Sequence, residues 1–363
     1  MKPGKPTGGR LAFLDWTRGL AAVLMLQGHA FHSFIAKDLR ESGPYVLSQF
    51  VGGIVPAVFL FLTGVTLAFL MDSRERQGFG PPARVAASLK RAGYLFGLAF
   101  LVRVQLWLFG LPYTSWADLF RVDVLNCMGF GLALMSVMAV FTTQDRIRLS
   151  AVLGLAIAVA SPLVSAADWS GVPEVAQHYL VPSFEYFSFF PWAAFLAFGL
   201  SAGSILRVLD KDQLQRSLQW SALVGVIIVL ASQYASSLPY SVYPKSDFWL
   251  NSPWLILIKL GVILAILPLA YLWTAFGNRG FSWVQQLGTA SLLVYWVHLE
   301  LVYGRWLAFV HESLNVPETI LAAAVVILLM IGISAARTRG RSWLANLNPA
   351  WSPLLEPRRA SGD

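Results

Sequence analysis

Apolar runs about 20 residues long recur along the whole chain, and short polar segments rich in Arg, Lys, Gly and Pro separate them. A continuous run of that length crosses a hydrocarbon core about 30 Å thick as a helix. The strict alternation of an outer-membrane barrel strand is missing. Ten such runs fall near 11–35, 46–71, 89–110, 119–141, 148–165, 186–206, 218–235, 254–276, 283–303 and 317–336, the fifth being the shortest. Pro317 suits the first turn of the last helix, and "GFGPP" at 78–82 reads as a loop. The pattern predicts an all-α protein, a polytopic membrane helix bundle of about ten transmembrane helices. A transmembrane domain over 11–336 lies between an N-terminal tail, 1–10, and a C-terminal tail, 337–363.

Composition agrees: 56% of the residues are hydrophobic and only 13% charged, against about 25% charged in a soluble domain. A net charge of +8 raises nucleic acid as a partner. The placement of the basic residues argues against it. With the N-terminus inside, 19 of the 27 Lys and Arg residues fall in cytoplasmic segments and four in outer loops. That is the bias that orients membrane helices, and it predicts both termini in the cytoplasm. Cys127, the single cysteine, allows neither an internal disulfide nor a cysteine-based metal cluster, and no metal is expected. The first run is too long for a signal peptide and lacks a small-residue cleavage site, so it is expected to stay attached.

The polar residues inside the spans carry the chemistry. The first span contains "LDWTRGLAAVLMLQGHAF" (14–31), with Asp15, Arg18 and His29 in a membrane helix. A charge at mid-membrane costs roughly 2.5–3.5 kcal/mol on insertion scales. Arg18 and His29 are three helical turns apart, separated by roughly 16 Å along the axis. With Asp15 and His32 they occupy an arc of about 100°, so one side of the helix is a polar ladder. The topology also puts Arg103, Arg121, Asp123, Asn126, Lys259, His298 and Glu300 in the outer half of the membrane. Ionisable groups in spans normally face the bundle or a watered cavity, and a shared depth on several helices suggests one cavity. Plainer readings stand beside this. Asp15 with Arg18 fits an interfacial ion pair with a snorkelling arginine. Arg103 with Asp123 fits a structural bridge, and either histidine fits an interhelical hydrogen bond. His178 and His311 fall in outer loops and read as surface residues.

An Arg, ten residues and a His in the first span resemble the acyltransferase-3 family and its relatives in the transmembrane acyltransferase clan. "PAVFLFLTGVTLAFL" (56–70) resembles the second span of bacterial relatives of heparan-alpha-glucosaminide N-acetyltransferase. "FRVDVLNCMGFGLAL" (120–134) and "ASLLVYWVHLELVYG" (290–304) are similar to later segments, with His298 resembling the late histidine of these families. The lysosomal enzyme has Asn at the position matching His29 and its proposed catalytic histidine further along. Counting forward here reaches Arg40, so the first span looks more like the acyltransferase-3 arrangement.

The resemblance implies transfer of an acyl group, above all acetyl, from cytoplasmic acyl-CoA (acetyl-CoA) as co-substrate to a hydroxyl or amine of a carbohydrate acceptor on the far side. The setting would be a cell membrane, a bacterial inner membrane in the expected case, with the lipid bilayer as partner and the oligomeric state left open. His29 is the expected general base, because an imidazole titrates near neutrality; an acyl-histidine intermediate is the competing scheme. Arg18, Asp123 and His298 complete the candidate catalytic set. Arg103, Arg121, Asn126, Lys259, His32 and Glu300 are candidates for substrate binding, the cationic ones for an oxyanion. Arg18, Arg74, Arg84 and Arg91 are candidates for the phosphates of CoA. Two other classes stay open: a secondary transporter of an anionic solute, against which no paired half-sequence repeat is visible, and a non-catalytic scaffold in glycan assembly.

Overall fold

The computed structural model describes residues 11–243, 245–277 and 280–347. The predicted tail at 1–10, residues 348–363 of the C-terminal one, and Arg279 of the charge count lie outside these residues. The helices are α1 (Ala12–Phe34), α2 (Gly43–Gly52), α3 (Val55–Arg76), α4 (Pro81–Gly110), α5 (Val124–Met135), α6 (Thr143–Ala166) and α7 (Glu174–Leu180). They continue with α8 (Phe189–Val208), α9 (Lys211–Ser236), α10 (Pro253–Leu272), α11 (Trp283–Thr289), α12 (Ser291–Tyr303) and α13 (Val316–Leu347). Among the described residues the only β pairing outside helices is a single bridge, Ile35 to Leu314. The protein is an all-α polytopic membrane bundle.

Eight helical stretches among the described residues are long and apolar enough to cross a membrane. They account for eight of the ten predicted runs. The other two are α1, whose polar ladder dilutes its hydropathy, and the run at 283–303. That run is not one helix: it breaks at Ala290 (φ −110°, ψ 13°) into α11 and α12. The run at 46–71 is likewise divided, α2 ending at Gly52 and α3 starting at Val55 with Pro56 in its first turn. Pro81 and Pro82, read from sequence as loop, open α4, because proline has no amide hydrogen to leave unsatisfied there. The short fifth run is a full 24-residue helix, extended backward to its cap at Thr142, whose side chain accepts from the Asp145 amide.

The chain divides into two compact units. The first, residues 56–269, carries nearly all of α3 to α10. Within it α6 lies along α8, α4 lies along α5, and α5 also meets α8. Gly64 of α3 and Gly199 of α8 let two backbones touch: a Cβ on Gly64 would overlap the Leu196 carbonyl, and one on Gly199 the Phe61 carbonyl. Small residues serve this purpose in membranes, where close van der Waals packing replaces the hydrophobic drive. The ends of α3, α4, α6 and α8 meet in a charged knot. Asp72 binds Arg207 (2.6 Å) and Arg76 (3.0 Å); Glu75 binds Arg146 (2.9 Å) and Arg84 (3.2 Å). The Thr143 hydroxyl lies within hydrogen-bond distance of both acids and donates its one proton to either. Arg146 is fully buried; its Nη groups also donate to the Phe141 carbonyl and the Thr143 hydroxyl, while its Nε has no hydrogen-bond partner among the described residues. Buried guanidiniums are tolerated only when paired and hydrogen-bonded in this way.

The second unit joins residues from both ends of the chain, 11–55 and 270–347 among those described. Its centre is α1, which packs against α2, α11, α12 and α13. Gly19 of α1 meets α11 with no room for side chains: a Cβ there would overlap the Val284 carbonyl, and one on Gly288 the Asp15 carbonyl. At the other end of α1, the orphan carbonyls of its last turn are taken by a returning strap. The amide of Glu312 donates to Ser33, and those of Ser313 and Leu314 donate to Phe34. Glu312 adopts φ 54°, unusual for a non-glycine residue. Lys37 (2.8 Å) and Arg40 (3.1 Å) bind its carboxylate.

Candidate active site

Within the second unit, α1 and α12 bring two sequence-predicted histidines together. His29 Nδ1 lies 2.9 Å from His298 Nε2, and the two rings are nearly parallel, 17° apart. His298 is completely buried, and its Nδ1 sits 2.8 Å from the Val294 carbonyl, one turn back on α12. A carbonyl only accepts, so His298 Nδ1 carries the proton, and in the neutral ring Nε2 is an acceptor. His29 Nδ1 is therefore the donor of the 2.9 Å bond, and its proton is fixed there. The lone pair is left on His29 Nε2, which takes no bond from any described residue. Sequence alone does not show this, because the register of α12 against α1 depends on the break at Ala290.

Around the pair, Tyr303 of α12 stands edge-on to His29, with ring centres 5.3 Å apart, and 6.2 Å from His32. His32 is exposed, and its Nδ1 lies 3.3 Å from the Tyr45 hydroxyl of α2. Glu300 is buried on α12, two residues beyond His298. Arg18 lies 3.5 Å from Asp15 at the opposite end of α1. Tyr303, Tyr45 and the Glu312 strap were not among the sequence candidates; the one available signal was the spacing of His32 and His29 on one face, which marks where partners converge.

In the first unit, Arg103 forms an ion pair with Asp123, the pairing weighed from sequence. Asp123 also caps α5: its amide donates to Asn126 Oδ1 (3.1 Å), and Asn126 Nδ2 donates to the Tyr179 hydroxyl (3.2 Å). Arg121 is exposed. Lys259 of α10 places its ammonium 4.9 Å from the centre of the Trp192 ring, a cation–π contact. Of the three arginines assigned to phosphates here, Arg84 is 7% exposed and committed to Glu75 and the Val140 carbonyl. Arg74 covers Phe79 at 4.9 Å, and Arg91 is exposed beside Tyr94.

Eight helical stretches long and apolar enough to cross a membrane, with a bonded pair of histidines on α1 and α12, describe a multi-pass membrane protein. Residues 10–243, which include α1 to α9, match the family described as heparan-alpha-glucosaminide N-acetyltransferase, catalytic. The match covers well over half of the chain, and the chain belongs to that family; it is a membrane acyltransferase. No curated protein matches it. His298 lies beyond the matched residues.

Proposed function

We propose that the protein moves an acetyl group from cytoplasmic acetyl-CoA to a hydroxyl or amine of a glycan on the opposite side of a bacterial inner membrane. The His29–His298 pair supports this reading most directly. His29 Nε2 takes the proton of the acceptor as its oxygen or nitrogen attacks the thioester carbonyl carbon. The carbon–sulfur bond then breaks, the acyl group stays on the acceptor, and the proton passes from His29 to the departing CoA thiolate. His298 holds the proton of His29 on Nδ1 throughout, the part a carboxylate plays in a serine protease triad. A neutral orienting group forms no permanent ion pair with the imidazolium, so the proton is readily handed on.

Distance sets the other roles. The bilayer core is about 30 Å thick and the CoA nucleotide is too charged to enter it, so the pantetheine arm carries the thioester inward. Arg18 is the proposed phosphate contact in the unit that holds His29. Within that unit, His32 and Glu300 are proposed for acceptor contacts.

The test is His29→Ala in detergent-solubilised protein, with folding confirmed by size exclusion and thermal melting. Thiol release from acetyl-CoA in the presence of glycan acceptors should fall about 100-fold or more, the usual contribution of a positioned base. Activity within threefold of the parent removes His29 from the mechanism.

A further inference from the structure

The first unit carries a groove that the proposed chemistry does not use. A short 3₁₀ turn, Ser136–Val140, leads from α5 toward α6, and both helices pack on α8. Between them lies a space of about 450 Å³, within the range of sites that hold small ligands, about 300–1,000 Å³. Leu134 and Met138 form one wall, Leu153, Ala156 and Ala160 the other, and Phe189 of α8 the back. Every residue that lines it is apolar. The room comes from the two alanines, one helical turn apart on one face of α6, where larger side chains would close the gap.

The surroundings say what fills it. All three walls belong to stretches long and apolar enough to cross a membrane, and Leu134, Val137 and Ala156 are exposed, so the open side meets lipid tails. A water molecule needs two to four polar partners, and the lining side chains offer none. Where α8 departs from helical geometry at Phe190, the freed carbonyl is already taken by the Ser188 hydroxyl. An empty groove would forfeit van der Waals contacts along its walls. A fatty acyl chain supplies them, and the bilayer holds it at that depth.

Charge marks the end from which the chain enters. Arg148 precedes Leu153 on α6 by about 7.5 Å along the axis. It is exposed, on the same stripe as the exposed Val152, Leu155 and Val159 that faces the bilayer beside the groove. Arg84 and Arg146 are spent on Glu75, whereas Arg148 has no ion-pair partner among the described residues. A guanidinium at the rim of an acyl groove is matched to a phosphate, which it binds through two parallel hydrogen bonds.

We infer that the groove binds one glycerophospholipid from the leaflet on the side of Arg148, with an acyl chain between α5 and α6 and the phosphate on Arg148. The inference does not depend on the transfer reaction.

The experiment is native mass spectrometry on the delipidated full chain in detergent, titrated with dioleoyl phosphatidylglycerol or with dioleoylglycerol, which has the same chains and no phosphate. The parent should retain one phosphatidylglycerol saturably. Ala156→Phe, and Ala156→Phe with Ala160→Phe, should lower its occupancy about tenfold by filling the groove. Leu155→Phe, which adds bulk on the exposed stripe outside it, should change occupancy less than twofold. Arg148→Gln should lower phosphatidylglycerol about fivefold and leave dioleoylglycerol unchanged. Size exclusion and thermal melting confirm folding; should the double variant misfold, Ala156→Phe, at an exposed position, carries the comparison. No saturable phosphatidylglycerol in the parent, or retention in folded Ala156→Phe equal to the parent's, overturns the site. An Arg148→Gln variant that lowers both lipids alike, or neither, overturns the phosphate contact.

Discussion

The pair of substitutions His298→Gln and His298→Asn separates the two jobs of one imidazole. Asparagine places its amide nitrogen near the old Nδ1, so it keeps the donor to the Val294 carbonyl (2.8 Å) and loses the acceptor for His29. Glutamine places an oxygen near the old Nε2, so it keeps the acceptor for His29 Nδ1 (2.9 Å) and loses the donor to Val294. Each leaves one buried polar group unsatisfied, at a cost of about 1–3 kcal/mol, so their melting temperatures should be alike. Their rates should not. In the Asn variant the proton of His29 is free to move from Nδ1 to Nε2, which leaves the base in only part of the molecules and the ring unfixed; complete loss of a base costs about 10²- to 10⁴-fold, the upper limit for this variant. The Gln variant should stay within about tenfold of the parent, because a hydrogen-bond acceptor still fixes the tautomer. Initial rates of thiol release from acetyl-CoA, at saturating acceptor, give the comparison. An Asn variant as active as the Gln variant would refute the tautomer assignment and with it the role of His298.

Two further outcomes test the frame around the site. Glu312 lies in the loop before α13, and its carboxyl is held below the usual range, chiefly by the hydrogen bond from Lys37, then by the charges of Lys37 and Arg40 against some desolvation. A lowered carboxyl stabilises the fold fully above its unfolded value, about 4.3, and stops doing so as pH falls through the lower folded value. The melting temperature of Glu312→Gln should therefore trail the parent by a constant margin at neutral and mildly acid pH, and the gap should close below about pH 4; a gap independent of pH counts against the clamp. Gly64→Ala should destabilise by about 1–3 kcal/mol because its Cβ overlaps the Leu196 carbonyl. Gly93→Ala on α4, with nothing near its Cβ, should be neutral or gain up to about 1 kcal/mol; equal melts for the two would refute the backbone crossing.

The helices were legible because membrane spans announce themselves by composition and length. Their ends were less so, since caps such as Thr142 and the proline pair at 81–82 act through a few local hydrogen bonds that a hydropathy window averages away. The break at Ala290 was invisible for the same reason: in "LGTASLLV" the only polar side chains are the small Thr289 and Ser291, and what interrupts the helix is non-helical backbone at Ala290, just past the glycine seated on the Asp15 carbonyl. Polar ladder positions could be read from the 100° periodicity of α1, whereas the partner of His29 could not. The described partner of His29 is a neutral ring on a helix, 269 residues away in sequence. Arg84 shows the converse. As a loop arginine it looked open to solvent, but α4 begins early and turns it onto Glu75.

The unit that holds the imidazoles is assembled from the first and last portions of the polypeptide. A ribosome releases α1 long before α12 exists, so a nascent or prematurely terminated chain carries an unpaired His29 whose tautomer nothing dictates. On the proposed mechanism, competence arrives only once residue 298 has been made, and messages truncated ahead of it should yield inserted but inert protein.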